Sequence, residues 1–150
     1  MKYFKPKEFG LWYDQLSPVL KDKLDALREE LDVPIHLSKS KGAIGRNLGK
    51  DSLSQHNVDK WVEVRAVDGY MPTIISLLDF YNAAKGVGFT GIGFYTGWAG
   101  GRGFHVDVRE DRIEGFPATW GGTYIPKTGK TTYGSIWEMI DAEERKTPIF

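Results

Sequence analysis

The leucines near the start of the chain follow the spacing of an amphipathic helix. They lie three or four positions apart, at Leu20, Leu24, Leu27 and Leu31. A helix over this segment has one apolar face, and most of its charged side chains lie away from that face. Ser17 and Pro18 suit the N-cap and the first helical position, whereas Pro34 cannot continue a helix. The pattern therefore predicts a helix between Ser17 and Pro34.

Strands and further helices are predicted along the rest of the chain. The predicted strands are Ile35–Ser38, the alternating run Trp61–Val67, Phe89–Tyr95 and Phe104–Val108. The other predicted helices are Met71–Lys85 and Gly134–Arg145, and the aromatic-rich Phe4–Leu16 favours a turn or short helix. Residues 110–130 are rich in turn formers. The irregular order of these elements predicts an α+β fold, in one domain over residues 1–150, with helices packed on a small, mainly antiparallel sheet.

Charge and cysteine content restrict the classes of function. The 150 residues include 20 basic and 20 acidic side chains, so no net charge favours a nucleic acid or an anionic membrane as partner. Cysteine is absent, which excludes disulfides, thiolate ligands and cysteine nucleophiles. A metal site in this chain therefore has to use histidine and carboxylate ligands. The N-terminal residues lack the apolar core of a secretory signal peptide. The sequence also has no run of about 20 apolar residues, the length that a membrane-spanning helix needs, so membrane insertion is not expected.

Two of the three histidines lie where a polar segment meets a predicted strand. His56 follows a long glycine-bearing loop, a kind of segment that is usually functional, and His105 lies near the start of a predicted strand. Glu63, seven positions after His56, adds a carboxylate within the alternating run. Two imidazoles and one carboxylate form a zinc-binding set with an open fourth position. A salt bridge to Arg65 is the alternative role for Glu63, and a structural role is predicted for His36.

These residues belong to motifs that resemble a known enzyme family. The motifs are Ser54-x-His56 with Glu63 after it, Gly91-Ile-Gly-Phe-Tyr95, and Phe104-His-Val-Asp-Val-Arg109. Together they are similar to the zinc D,D-carboxypeptidases and peptidoglycan endopeptidases that are related to the Hedgehog signalling domain. This family includes many phage endolysins. The resemblance covers roughly residues 4–109, and the remaining tail is unmatched.

The resemblance implies a set of zinc ligands. In the family pattern Ser-x-His-x-x-Gly-x-Ala-x-Asp, His56 matches the first ligand and Glu63 takes the position of the aspartate. His105 matches the second histidine ligand. Asp68, in an Ala-x-Asp setting, is the alternative third ligand if the strand has a different register.

The resemblance also implies catalytic residues. Many family members have an acidic general base three positions before the last histidine, where this chain has Arg102. Asp107, two positions after that histidine and on the same face of the predicted strand, is the candidate base. It is also a candidate for orienting a ligand, or for an ion pair with Arg109. In the loop before the first histidine, Arg46 or Lys41 is expected to hold the terminal carboxylate of the peptide or the oxyanion.

The expected function is therefore that of a zinc peptidase acting on peptidoglycan peptides, as a phage lysis or virion-associated enzyme. Because no export signal is recognised, we expect it in the virion, or in the host cytoplasm before its release onto the cell wall. The alternative is a catalytically silent domain of the same fold that binds the cell wall or builds the phage particle. Glu63 and Arg102 favour this alternative, because they depart from the family pattern. Four aromatic residues near the later loops are candidates for a substrate groove or for the core: Trp98, Phe116, Trp120 and Tyr124.

Overall fold

Residues 1–146 are described by a computed structural model, in which helices alternate with single strands in the first part and four successive strands then precede the last helix. A 3₁₀ helix, η1 (Pro6–Gln15), comes first. The α-helices are α1 (Pro18–Leu31), α2 (Val58–Trp61), α3 (Leu77–Gly86) and α4 (Ile136–Lys146). The strands are β1 (His36–Leu37), β2 (Ala66–Tyr70), β3 (Gly91–Thr96), β4 (Gly103–Asp107), β5 (Ala118–Ile125) and β6 (Lys130–Gly134). None of the helices in residues 1–146 is long and apolar enough to span a bilayer.

All six strands belong to one sheet, in the order β1-β2-β4-β3-β5-β6. β3 and β5 run parallel, and every other neighbouring pair is antiparallel. The predicted α+β class and the mainly antiparallel sheet are therefore confirmed. The central strands β2, β4 and β3 come from the part of the chain that carries the candidate motifs.

The apolar core lies between the sheet and the helices. Phe80 of α3 packs against Phe94 of β3 and Phe104 of β4, with ring centroids 5.7 and 4.8 Å apart. The apolar face of α1 is also buried in this core, as its leucine spacing predicted. Because side chains alternate along a strand, His105 next to Phe104 points to the opposite face of the sheet. The helices thus occupy one face and leave the other face for the polar candidate residues.

The helix predicted between Ser17 and Pro34 is confirmed, including its N-cap. α1 begins at Pro18, and the side chain of Ser17 accepts a hydrogen bond from the backbone N–H of Leu20. It ends at Leu31, and Asp32 follows in the left-handed conformation. The predicted strands Phe89–Tyr95 and Phe104–Val108 also match β3 and β4 to within two residues at each end.

The predicted strand over Trp61–Val67 is wrong in its bounds. Asn57 caps the short helix α2 by accepting a hydrogen bond from the backbone N–H of Asp59. Val62 then adopts a positive φ of 68°, which ends the helix, and the strand begins only at Ala66. The alternating pattern was real, but the local capping interaction determined the structure of its first residues.

Two other predictions also need correction. α3 begins at Leu77 rather than Met71, because Ser76 caps it by accepting from the N–H of Asp79. The turn-rich segment 110–130 contains β5 and leads into β6, which pair as a hairpin. The glycine pair Gly121-Gly122 within β5 resembles a turn in sequence, but a Cβ at either position would collide with a packed side chain. Close packing therefore explains these glycines better than a turn does.

Candidate metal centre

Three polar side chains meet on the face of the sheet that lies away from the helices. Asp68 of β2 is paired directly with His105 of β4, so these two side chains are neighbours. His56 comes from the loop before α2, where its carbonyl accepts from the N–H of Arg46 at 2.8 Å. His56, Asp68 and His105 are only 2, 9 and 7% exposed. The cluster is therefore buried although its members are polar.

The side-chain atoms of the cluster lie close enough to share one ion. His56 Nε2 is 3.2 Å from Asp68 Oδ1, and His105 Nδ1 is 2.9 Å from the same oxygen. One ligand atom from each residue lies within 4.8 Å of those of the other two. Tetrahedral ligands at the usual zinc distances are separated from each other by about 3.4 Å. The group His56–Asp68–His105 can thus hold a metal ion.

The second nitrogen of each imidazole is tied to an outer acceptor. His56 Nδ1 lies 2.6 Å from the carbonyl oxygen of Ile44, which can only accept, so Nδ1 carries the hydrogen. Its lone pair on Nε2 then faces the Asp68 carboxylate at 3.2 Å, an arrangement that a cation between the two atoms would stabilise. His105 Nε2 donates in the same way to Asp107 Oδ2, at 2.7 Å. Such outer partners orient the histidine ligands of metal sites.

Electrostatics favours a cation at this point. Burial would raise the pKa of Asp68, but its hydrogen bonds with His105 and His56 hold that pKa well below the usual range. Burial would lower the pKa of His105, but its hydrogen bonds with Asp107 and Asp68 raise it to about 9. Asp68 is therefore a carboxylate throughout the neutral range, and in the metal-free protein a proton bound to His105 balances the charge.

Asp107 contacts the nitrogen of His105 that points away from Asp68, so it does not face the centre of the cluster. It is fully buried, and Arg109 donates a hydrogen bond to each of its oxygens, with Nε 2.9 Å from Oδ1 and Nη2 2.6 Å from Oδ2. Burial would raise the pKa of Asp107, but Arg109 and His105 keep it well below its usual range. This geometry favours the two roles of orienting a ligand and pairing with Arg109 over the predicted role of general base.

Glu63 lies outside the cluster. It follows α2 and precedes β2, and its nearest cation is Arg65, with Nε 3.9 Å from Oε2. The structure thus brings together two of the three predicted ligands and replaces Glu63 with Asp68, the alternative carboxylate. The physical reason is the later start of β2, which puts Asp68 opposite His105. His36 is exposed at the edge strand β1 and also lies outside the group.

Arg102 has no contact with the cluster. Its guanidinium is paired with Glu143 of α4 and donates to the carbonyl oxygens of Pro72 and Ile75. It precedes Phe104 by two positions and therefore shares the face that packs against the helices. Arg102 thus links α4 to the segment before α3, on the side of the sheet opposite to the cluster.

Three glycines on the site face make room for the large side chains that surround the cluster. A Cβ at Gly91 would collide with the Asp107 carboxylate, and one at Gly93 with the indole of Trp120. A Cβ at Gly103 would collide with the ring of Trp98. The motif Gly91-Ile-Gly is therefore a packing requirement of this site, since it allows Asp107 and Trp120 to lie close to the strand.

Aromatic rings line one side of the cluster. The rings of Trp120 and His105 have centroids 5.0 Å apart. Trp98 stacks on Tyr95 at 4.5 Å with an interplanar angle of 11°, and Tyr70 meets Trp98 edge-on at 5.9 Å. Trp98 and Trp120 thus belong to the surroundings of the site. Phe116, another of the aromatic candidates from the sequence, is 70% exposed and is therefore not part of the core.

Two neighbouring cavities lie on this side of the protein, and one of them reaches the cluster. The smaller one, about 340 Å³, is lined by Asp68 and by Lys41, Arg46, Trp98 and Tyr124 among others. A larger groove, about 1200 Å³, runs between η1 and the segment 36–48. Lys41 and Arg46 line both, so the two cavities share a wall. Arg46 Nη2 lies 3.5 Å from Asp68 Oδ2, which places a guanidinium beside the cluster.

The geometry identifies residues that the sequence alone did not single out. Ile44 supplies the carbonyl that orients His56, and Tyr95 belongs to the aromatic wall. The carbonyl of Ile44 left no signal in the sequence, whereas Tyr95 lies in a motif used only for the family resemblance. In comparisons with known proteins, the chain matches no protein-family model, no curated protein and no solved structure.

Proposed function

We propose that this chain is a zinc-dependent peptidase that hydrolyses amide bonds in bacterial peptidoglycan peptides, as a phage lysis or virion-associated enzyme. One observation carries the proposal, namely the buried His56–Asp68–His105 group beside a cavity with cationic side chains. The motif resemblance supports the choice of reaction. Structural metal sites usually have four protein ligands, whereas three ligands leave a position for chemistry.

Zinc is the proposed ion because of the chemistry of the donor set. His56 Nε2, His105 Nδ1 and one oxygen of Asp68 would hold it, and a set of two imidazoles and a carboxylate is typical of zinc hydrolases. Zinc bound there would polarise the scissile carbonyl and lower the pKa of water toward about 7. The hydrogen bonds from His56 to Ile44 and from His105 to Asp107 fix the two imidazoles for this purpose.

The residues of the two cavities bind and position the substrate. Arg46 and Lys41 are cations beside the cluster, and they hold the terminal carboxylate of the peptide. The groove between η1 and the segment 36–48 holds more of the substrate chain. In the reaction the amide C–N bond breaks, the oxygen of water bonds to the carbonyl carbon, and a water proton goes to the departing amine.

A catalytically silent domain that binds the cell wall is the second candidate. The observation that favours it is the position of Asp107, whose two oxygens are both occupied by Arg109 and His105. A carboxylate held in this way is a poor proton acceptor. Glu63 no longer supports this candidate, since Asp68 takes the place of the third ligand.

The experiment that tests the proposal is digestion of purified cell walls by zinc-loaded protein. The proposed function predicts loss of turbidity and release of peptide fragments, whose masses identify the amide that is cleaved. His105→Ala should abolish release, and His36→Ala, which changes an exposed histidine outside the cluster, is the matched control. Protein that sediments with the walls but releases no fragment would support the silent domain instead.

A further inference from the structure

Tyr95 lies on the same face of the sheet as the cluster. In β3, Gly93 is paired with His105, and Tyr95 two residues later is paired with Gly103. Residues two apart on a strand point to the same side, so the Tyr95 side chain rises from the site face. Its ring is held by stacking on Trp98. The position of the phenol is therefore fixed by packing.

The hydroxyl of Tyr95 is brought toward His105 by Trp120. The indole Nε1 of Trp120 donates to the Tyr95 oxygen at 2.7 Å. That same nitrogen lies directly over Gly93, where a Cβ would collide with it, and Gly93 is the partner of His105. The ring of Trp120 also packs against the ring of His105. The phenol oxygen is thus positioned over the part of the sheet that carries the cluster.

The proton of this hydroxyl has no acceptor within residues 1–146. The indole N–H uses a lone pair of the Tyr95 oxygen, and this is the hydrogen bond that the hydroxyl makes in the described part of the chain. Burial raises the pKa of Tyr95 to about 12, so the phenol keeps its proton at neutral pH. A fixed hydroxyl with an unused proton beside a reactive site is suited to donate to a ligand oxygen.

We propose that Tyr95 is a catalytic residue whose hydroxyl donates a hydrogen bond to the carbonyl oxygen of the scissile amide as negative charge develops there. This inference rests on the proposed peptidase function. It also separates two roles that the sequence left together, since Tyr95 takes the oxyanion and Arg46 is left to bind the terminal carboxylate. The hydrogen bond from Trp120 polarises the phenol and strengthens it as a donor.

The test compares Tyr95→Phe with wild type and with Tyr81→Phe, all loaded with zinc. Tyr81 is the control because it is a buried tyrosine that also packs against a tryptophan, Trp137, but it lies on α3, on the other face of the sheet. Loss of one oxyanion donor lowers kcat by about 10²–10³. We expect that loss in Tyr95→Phe, with KM and zinc content close to wild type, and no such loss in Tyr81→Phe.

A second measurement does not depend on turnover. Acetohydroxamate, which presents a carbonyl oxygen to a bound metal, is titrated into each zinc-loaded protein by calorimetry. Loss of one neutral hydrogen bond should weaken its binding to Tyr95→Phe about tenfold. Equal affinity in wild type and Tyr95→Phe would overturn the role of Tyr95, and so would loss of zinc from the variant, which would mean a structural role. A wild type without turnover would instead overturn the peptidase function, while the acetohydroxamate comparison would still test the hydrogen bond.

Discussion

At the scale of single residues, the choice of the third ligand depends on which carboxylate faces the histidines. Asp68 is buried and lies within 3.2 Å of both imidazoles, whereas Glu63 lies beyond the end of α2 near Arg65. Both residues are acidic and both lie a short distance after His56, so composition and spacing could not separate them. Their side-chain contacts do separate them.

This difference predicts opposite effects for two similar substitutions. Asp68→Asn keeps the size of the side chain but removes the charge that a cation requires, so dialysed protein should lose most of its metal. Glu63→Gln should leave the metal content at about one ion per chain, as should His36→Ala. Elemental analysis after dialysis against metal-free buffer is the measurement. Full occupancy in Asp68→Asn together with loss in Glu63→Gln would contradict the assignment.

The raised pKa of His105 predicts that metal binding releases a proton. Since this pKa is about 9 in the metal-free protein, His105 is protonated at pH 7.5, and a metal ion at Nδ1 has to displace that proton. Metal affinity should therefore fall about tenfold for each unit by which the pH is lowered between about 9 and 7. Calorimetry in buffers of different ionisation enthalpy should detect about one released proton. An affinity that is constant over this range would contradict the protonation state.

At the scale of elements, glycine spacing on β3 and β4 sets how closely the outer side chains approach the cluster. Gly91 is paired with Asp107 and lies beneath its carboxylate. The same carboxylate orients His105 by accepting from Nε2. A change at Gly91 therefore acts on His105, a proposed metal ligand, through Asp107 and without contacting His105 itself.

Gly91→Ala is expected to disturb both stability and metal binding. The new methyl group would displace the Asp107 carboxylate, and overpacking of this kind costs about 1–3 kcal/mol. Loss of the outer partner of a histidine ligand weakens metal affinity about 10 to 100-fold. Gly86→Ala at the end of α3 is the control, since a Cβ there meets nothing within 4 Å. Thermal unfolding and a competition titration with a zinc chelator measure the two effects. Wild-type metal affinity in Gly91→Ala would show that Asp107 does not orient His105.

The elements also show what the sequence could reveal and what it could not. α1, β3 and β4 were predicted well, because their apolar periodicity and their caps agree with each other. β2 begins five residues later than the predicted strand, because an Asn57 cap and a left-handed Val62 interrupt a pattern that otherwise alternates. Both histidines of the site were found from their positions beside strands. The sequence favoured Glu63 over Asp68 as the carboxylate beside the histidines, because the register of β2 is set by pairing with β4, which a local pattern does not contain.

At the scale of the whole molecule, the elements after Arg109 pack against the strands and helices that carry the site. β5 carries Trp120 to the cluster, and α4 packs against β5 and α3. Glu143 of α4 pairs with Arg102 and accepts a hydrogen bond from the backbone N–H of Leu77, at the start of α3. The motif resemblance ends at Arg109, so the contribution of this tail became visible only from the fold.

Glu143→Gln is therefore expected to destabilise the whole chain. Arg102 is about three-quarters buried, and it would lose a charged partner while remaining tied to the carbonyls of Pro72 and Ile75. A hydrogen bond to a charged group contributes about 2 kcal/mol, which in a domain of this size corresponds to a fall of about 4–8 °C in Tm. Glu144→Gln makes the same chemical change at the next, exposed position and should leave Tm within about 2 °C of wild type. Because Arg102 lies on the opposite face from the cluster, metal content at 25 °C should be the same in both variants. A metal-free Glu143→Gln protein with an unchanged Tm would mean that α4 acts on the site directly rather than through the packing of the fold.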